Sequence, residues 1–83
     1  MEEITRREVE ITKLVAEGLS NKEIGVKLFI AEGTVKNHIG ILLDKLEAKN
    51  RASLVYRALQ RGIIDVENHT SDDDFVVTGL AGM

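Results

Sequence analysis

Apolar residues recur every three or four positions through most of the chain, which is the spacing of amphipathic helices and not of strands. The longest apolar stripe lies in the middle of the sequence and consists of Val35, Ile39, Leu42, Leu43 and Leu46. Polar residues and glycines occupy the other side of this segment, so we expect one face to pack into a core and the other to face outward. No part of residues 1–64 alternates between apolar and polar positions as a half-buried strand does.

Capping signals indicate where the helices begin and end. Two Ser/Thr-x-x-Glu sequences, beginning at Thr5 and Ser20, have the spacing of a capping box. Asn50 is a third N-cap candidate, while Gly18 and Gly62 are typical helix stops. Together these signals predict helices over residues 6–17, 21–28, 32–46 and 51–61. We therefore expect an all-α fold, a four-helix bundle in which the second and third helices form a central helix-turn-helix.

The charges divide the chain into two parts. The 83 residues have a net charge of −3, yet residues 1–64 hold all eleven Lys and Arg against nine Asp and Glu, whereas residues 65–83 hold five acidic residues and no Lys or Arg. The first part is weakly basic, at +2, and the second is acidic, at −5. We predict a folded domain over residues 1–64 and an acidic, flexible tail over residues 65–83, because its acidic stretch buries too little apolar surface to become ordered.

The residues that the chain lacks disfavour several classes of protein. There is no cysteine, and hence no disulfide or thiolate zinc site, and no apolar run is long enough to cross a bilayer. No basic leader opens the chain, so we expect a cytoplasmic protein. The two histidines, His38 and His69, have no acid, base and nucleophile set around them. The sequence therefore predicts no enzyme, metal or cofactor.

The predicted outward face of the third helix carries side chains suited to reading DNA. Lys36 and Asn37 lie one turn from its start, where a Lys can reach guanine O6 and N7 and an Asn can pair with adenine. We predict that these two residues contact bases. The alternative is an ordinary solvated helix face, which the lysine alone does not exclude.

Other polar residues are candidates for phosphate contacts. Ser20, Asn21 and Lys22 form the start of the second helix, where exposed backbone N–H groups and the helix dipole favour an anion. For Ser20 the alternative is a capping role alone. Further candidates are Thr34, His38, Lys45, Lys49 and Arg51. The alternatives are a bond to a backbone carbonyl for Thr34, a packing role for His38 and a solvated surface for the three basic residues.

Residues 4–64 closely resemble the LuxR-type (LuxR/FixJ/NarL) DNA-binding domain, found at the C-terminus of many bacterial response regulators and quorum sensors. The resemblance rests on T-x-R-E at residues 5–8, G-L-S-N-K-E-I at 18–24, G-T-V-K-N-H at 33–38 and N-R at 50–51, in order and at unbroken spacing. It implies a four-helix domain that binds specific duplex DNA and controls transcription under an N-terminal receiver or ligand-binding domain. The start of the chain, directly before the first helix, suggests an excised domain.

The resemblance also implies roles for individual residues. Positions matching Lys36, Asn37 and Gly40 face bases, and those matching Lys22 and Thr34 meet phosphate. The fourth helix commonly supplies a dimer surface in the family, for which the candidates here are Ser53, Leu54, Tyr56, Arg57 and Gln60, with burial in the core as the alternative for Leu54.

The chain departs from the family pattern at three places relevant to this surface. Ala31 replaces the usual capping serine of the third helix, and Gly25 replaces an alanine, which permits a close helix approach. Gly40 and Ile41 stand where relatives often carry polar or basic side chains, so one expected base contact is missing and one apolar group is exposed.

These observations predict a sequence-specific double-stranded DNA-binding output domain of a bacterial transcriptional regulator, with helix 32–46 in the major groove. It would act as a homodimer on DNA and recruit or exclude RNA polymerase. Two alternatives remain at this point. One is a small helical protein-interaction adaptor with an acidic tail, and the other is a fragment resembling sigma-factor region 4, which uses a similar helix-turn-helix.

Overall fold

The computed structural model describes residues 3–65, and these residues contain four α-helices and no strand. The helices are α1 (Arg6–Ala16), α2 (Asn21–Leu28), α3 (Glu32–Lys45) and α4 (Arg51–Gln60). Each helix begins at the predicted residue and ends no more than one residue from the predicted end, so the all-α prediction is confirmed. The predicted flexible tail covers residues 65–83, and all of it from residue 66 onward lies outside the described residues.

Side-chain caps fix the starts of three helices, as the sequence predicted. The Thr5 hydroxyl accepts a hydrogen bond from the Glu8 backbone N–H at 3.1 Å, and the Glu8 carboxylate accepts one from the Thr5 N–H at 2.9 Å. Ser20 makes the same reciprocal pair at the start of α2, and Asn50 caps α4. The N-cap of α3 is Ala31, whose side chain offers no acceptor. The start of α3 therefore lacks the side-chain support that the other three starts have.

One cluster of buried apolar side chains holds the helices together. It takes residues from every helix, and α1 packs against each of the other three. The buried members are Ile11, Leu14, Val15, Ile24, Val35, Ile39, Leu42, Leu46, Leu54, Ala58 and Ile64. Leu43 of the predicted stripe is only half-buried and packs against the edge of this cluster. None of the described helices is long and apolar enough to cross a membrane.

The turn between α2 and α3 depends on close backbone contact. A Cβ atom at Gly25 would lie 2.7 Å from the Ile30 carbonyl oxygen, a separation that real side chains do not tolerate. Glycine at this position therefore lets the chain fold back directly after α2, which confirms the expected close approach. Phe29 makes the reversal in a left-handed conformation, with φ at 61°, and its ring is 93% exposed.

Candidate nucleic-acid interface

The outer face of α3 is open to solvent along its length. Lys36, Asn37 and Gly40 are all exposed, while Val35 and Ile39 point into the core from the other side of the helix. The packing of the apolar stripe fixes this orientation, because α3 is held between α1, α2 and α4. The structure thus brings the three predicted base-contact residues onto one accessible face, where their contacts with bases stay predictions.

The start of α2 is anchored by a residue from α4. One guanidinium nitrogen of Arg51, Nη1, donates to the Asn21 side-chain oxygen at 2.6 Å, and Nη2 donates to the Leu19 carbonyl oxygen at 2.8 Å. Asn21 is half-buried, whereas Lys22 beside it is exposed. The first turn of α2 is therefore held in place from behind while its lysine remains accessible.

This contact gives Arg51 a structural role that the sequence did not predict. A guanidinium carries five N–H donors, so two internal bonds leave others for a phosphate, and that contact stays a prediction. The same bond occupies the amide oxygen of Asn21, whose expected phosphate contact would have to come from its NH2 group or its backbone.

Lys45, by contrast, is engaged in contacts within the domain. Its ammonium group donates to the Glu3 carbonyl oxygen at 2.9 Å and to both carboxylate oxygens of Glu8, at 2.9 and 3.0 Å. The two Glu8 oxygens face the same side of the ammonium, so the Glu8 carboxylate and the Glu3 carbonyl together hold Lys45 against the start of α1. The Lys45 side chain is only 14% exposed, so its phosphate contact stays a prediction that would require this ion pair to open.

The ion pair that holds Lys45 also perturbs Glu8. Burial disfavours the charged carboxylate, but the Thr5 backbone hydrogen bond and the Lys45 ammonium outweigh that effect, so the pKa of Glu8 is held below its ordinary value. The pair joins the start of α1 to the end of α3, two points 37 residues apart in sequence. The pair therefore links the end of α3 to the start of α1.

The remaining phosphate candidates differ in accessibility. Thr34 and Lys49 are exposed, as is Ser20, whose hydroxyl caps α2. His38 is half-buried, and its Nδ1 atom is buried with no hydrogen-bond partner among residues 3–65. Any contact that His38 makes with a phosphate must therefore come from its other ring nitrogen, Nε2.

The predicted dimer surface on α4 needs one correction. Leu54 is completely buried in the core, so the prediction that it contacts a second subunit is wrong. The Ser53 hydroxyl is taken up in capping α4, where it accepts hydrogen bonds from the backbone N–H groups of Lys49 and Asn50. Tyr56 and Gln60 are exposed neighbours, and the Gln60 side-chain amide donates to the Tyr56 hydroxyl at 3.3 Å. Arg57 is half-buried beside them.

Comparison with known proteins agrees with this description. Residues 2–58 match the family model of the bacterial regulatory proteins of the luxR family. The chain is also similar to a solved structure, the crystal structure of the response regulator ChrA in a heme-sensing two-component system, with a TM-score of 0.74 and 38% sequence identity. That match covers 77% of this chain and 32% of the ChrA chain. No curated protein matches the chain.

The fold and its exposed polar helix define a DNA-binding domain of the helix-turn-helix class. The chain belongs to the luxR family of bacterial regulatory proteins, which its match over residues 2–58 shows. The chain spans about a third of the length of the ChrA regulator that it resembles.

Proposed function

We propose that this domain binds specific duplex DNA by inserting α3 into the major groove, as the output domain of a bacterial transcriptional regulator. The observation that carries the proposal is the exposed face of α3, which presents Lys36 and Asn37 while the core holds the other side. Fourteen helical residues make a rod roughly 21 Å long, and a major groove about 12 Å wide accepts its first turns. Membership of the luxR family favours this function over a sigma-factor fragment.

Phosphate contacts would set the register of α3 in the groove. Lys22 and the capped start of α2 offer one such contact, and Thr34, His38 and Lys49 offer others around α3. Each phosphate neutralised lowers the logarithm of the binding constant by about 0.9 per decade of salt, so binding through so few contacts is expected to be weak and salt-sensitive.

Because one domain is expected to bind DNA weakly, we expect two domains to bind together to a site made of two half-sites. A pair of domains meeting through Tyr56, Arg57 and Gln60 on α4 would place two α3 helices on half-sites about one helical turn apart. In the whole regulator, a further domain would control this pairing in the cytoplasm, as the receiver of a two-component system does. The bound dimer would then recruit or exclude RNA polymerase.

Selection of bound duplexes from a random pool, followed by titration with variants of the full chain, tests the proposal. We expect Lys36→Ala and Asn37→Ala each to weaken binding to the selected duplex by roughly 1–3 kcal/mol and to relax the preference at one base position, because each removes one base contact. The matched control is Lys13→Ala, which removes an exposed lysine from α1. The proposal fails if both α3 variants bind every duplex as the unaltered chain does.

A further inference from the structure

Ile41 is an apolar residue on the exposed face of α3, where it does not contribute to the core. Its side chain is 47% exposed, although it lies between the buried residues Ile39 and Leu42 in sequence. It follows Asn37 by four positions, so the two side chains are neighbours on the helix surface. An exposed isoleucine beside a predicted base-reading asparagine is suited to an apolar feature of the DNA.

The major groove offers one such feature. Thymine carries a methyl group at C5 there, and apolar side chains contact it, whereas the other bases present hydrogen-bonding groups. Asparagine pairs with adenine in the same groove. One helical turn separates Asn37 from Ile41 by about 6 Å, a distance that keeps both within the same few base pairs.

Two glycines on α3 bring these short side chains within reach of the bases. A Cβ atom at Gly33 or Gly40 would meet nothing within 4 Å, in contrast to Gly25, so the fold requires neither glycine. Each lowers helix stability by about 0.5–1 kcal/mol relative to alanine. Both are exposed and lie seven residues apart along the helix, one on each side of Asn37. A bare backbone at both points lets α3 sit deeper in the groove than longer side chains would permit.

We infer that Ile41 is a specificity-determining residue that contacts the C5-methyl group of a thymine next to the adenine read by Asn37. The inference rests on the proposed function and adds to it a preference for thymine that comes from an apolar contact and not from a hydrogen bond. It predicts that the domain distinguishes thymine from uracil at one position of its site, because uracil differs from thymine only by that methyl group.

The test uses the full chain and a duplex selected from a random pool, in which each thymine of a half-site is replaced in turn by deoxyuridine. For the unaltered chain we expect a loss of affinity of roughly three- to fivefold at one position, the factor that burial of one methyl-sized group contributes. The Ile41→Ala variant should bind the thymine duplex less tightly and show no further loss with deoxyuridine. Helical content and thermal unfolding of the variant should match the unaltered chain, because Ile41 lies outside the core.

The control is Phe29→Ala, which removes an apolar side chain that is more exposed than Ile41 and lies in the turn before α3. It should keep the full discrimination between thymine and uracil. The inference is overturned if the unaltered chain tolerates deoxyuridine at every position, or if Ile41→Ala remains as sensitive to it. In either case specific binding through Lys36 and Asn37 would still stand, whereas failure to select any duplex would contradict the proposed function itself.

Discussion

Glu8 takes part in two kinds of contact, a helix cap and an ion pair with Lys45. The Glu8 carboxylate completes the capping box of α1 and also accepts both hydrogen bonds from the Lys45 ammonium. The pair is largely buried, with side-chain exposures of 6% for Glu8 and 14% for Lys45, so removal of either partner leaves the other poorly solvated. The polar contact between the end of α3 and α1 therefore depends on the Glu8 carboxylate.

Substitution of Glu8 should make this dependence visible as a change in stability with pH. At pH 7 we expect Glu8→Gln to lower the free energy of unfolding by roughly 2 kcal/mol, between the values for exposed and fully buried ion pairs. Because the folded-state pKa of Glu8 is lowered, its contribution is complete above the ordinary glutamate value of about 4.3 and is lost as the pH falls through the folded pKa. Urea unfolding at pH 7 and at about pH 3 measures the difference between the two proteins, which should shrink in acid.

The control for this measurement is Glu10→Gln, in the same helix. Glu10 pairs with Arg7 at 3.7 Å, and both side chains are more than 40% exposed, so its replacement should change stability little at either pH. An equal loss for the two variants, or a loss for Glu8→Gln that does not diminish in acid, would contradict the assigned role of Glu8.

At the scale of the element, α3 stands apart because its start has no side-chain cap. Ala31 occupies the N-cap position in an extended conformation, with φ at −69° and ψ at 150°, close to the φ of −76° and ψ of 166° of the capping residue Ser20. The first turn of α3 contains Gly33 as well, and glycine adds further freedom to that turn. The helix that we propose to read DNA therefore has less side-chain support at its start than the other three helices have at theirs.

Ala31→Ser should stabilise the domain by about 1 kcal/mol, because the serine hydroxyl would accept a hydrogen bond from a backbone N–H in the first turn of α3. The midpoint of urea unfolding should rise, and hydrogen exchange at the start of α3 should slow. The matched control is Ser20→Ala, which removes the existing cap of α2 and should lower stability by a similar amount. No gain from Ala31→Ser would show that the backbone at Ala31 cannot present the new hydroxyl to α3.

Elements defined by neighbouring residues could be predicted from the sequence, and contacts between elements could not. Helix bounds follow from periodicity and capping boxes, whose partners are three residues apart. The Arg51–Asn21 and Lys45–Glu8 bonds join residues 30 and 37 positions apart, and they depend on how the helices pack, so the sequence did not reveal that both basic residues are engaged within the domain. For Leu54 the alternative of burial is the correct one, and its apolar stripe with Ala58 is the local signal that indicates it.

At the scale of the whole molecule, the chain combines a weakly basic helical domain with an acidic continuation. Residues 1–64 carry a net charge of +2 and residues 65–83 carry −5. The local charge on the α3 face, and not the sum over the chain, determines attraction to phosphate. The acidic residues can nevertheless oppose DNA binding at low salt by repelling the backbone.

Removal of residues 65–83 therefore tests whether their negative charges oppose DNA binding. We expect the truncated protein to bind the selected duplex as tightly as the full chain or more tightly, with the larger gain at low ionic strength, because five negative charges are lost. Titrations at two salt concentrations measure both proteins. If truncation instead abolished binding to DNA, or removed a protein partner that the full chain captures without DNA, the protein-interaction adaptor would be the better description.

The bond between Arg51 and the entry to α2 has a consequence for local unfolding. The chain has no cysteine and therefore no disulfide bond. The hydrogen bonds of the Arg51 guanidinium, which can open and close, connect residues 19 and 21 to the first residue of α4. Opening of α4 from its amino end would release the phosphate-facing turn of α2 at the same time. Amide protons in those two segments should therefore exchange with solvent as one cooperative unit, although each belongs to a different surface of the protein.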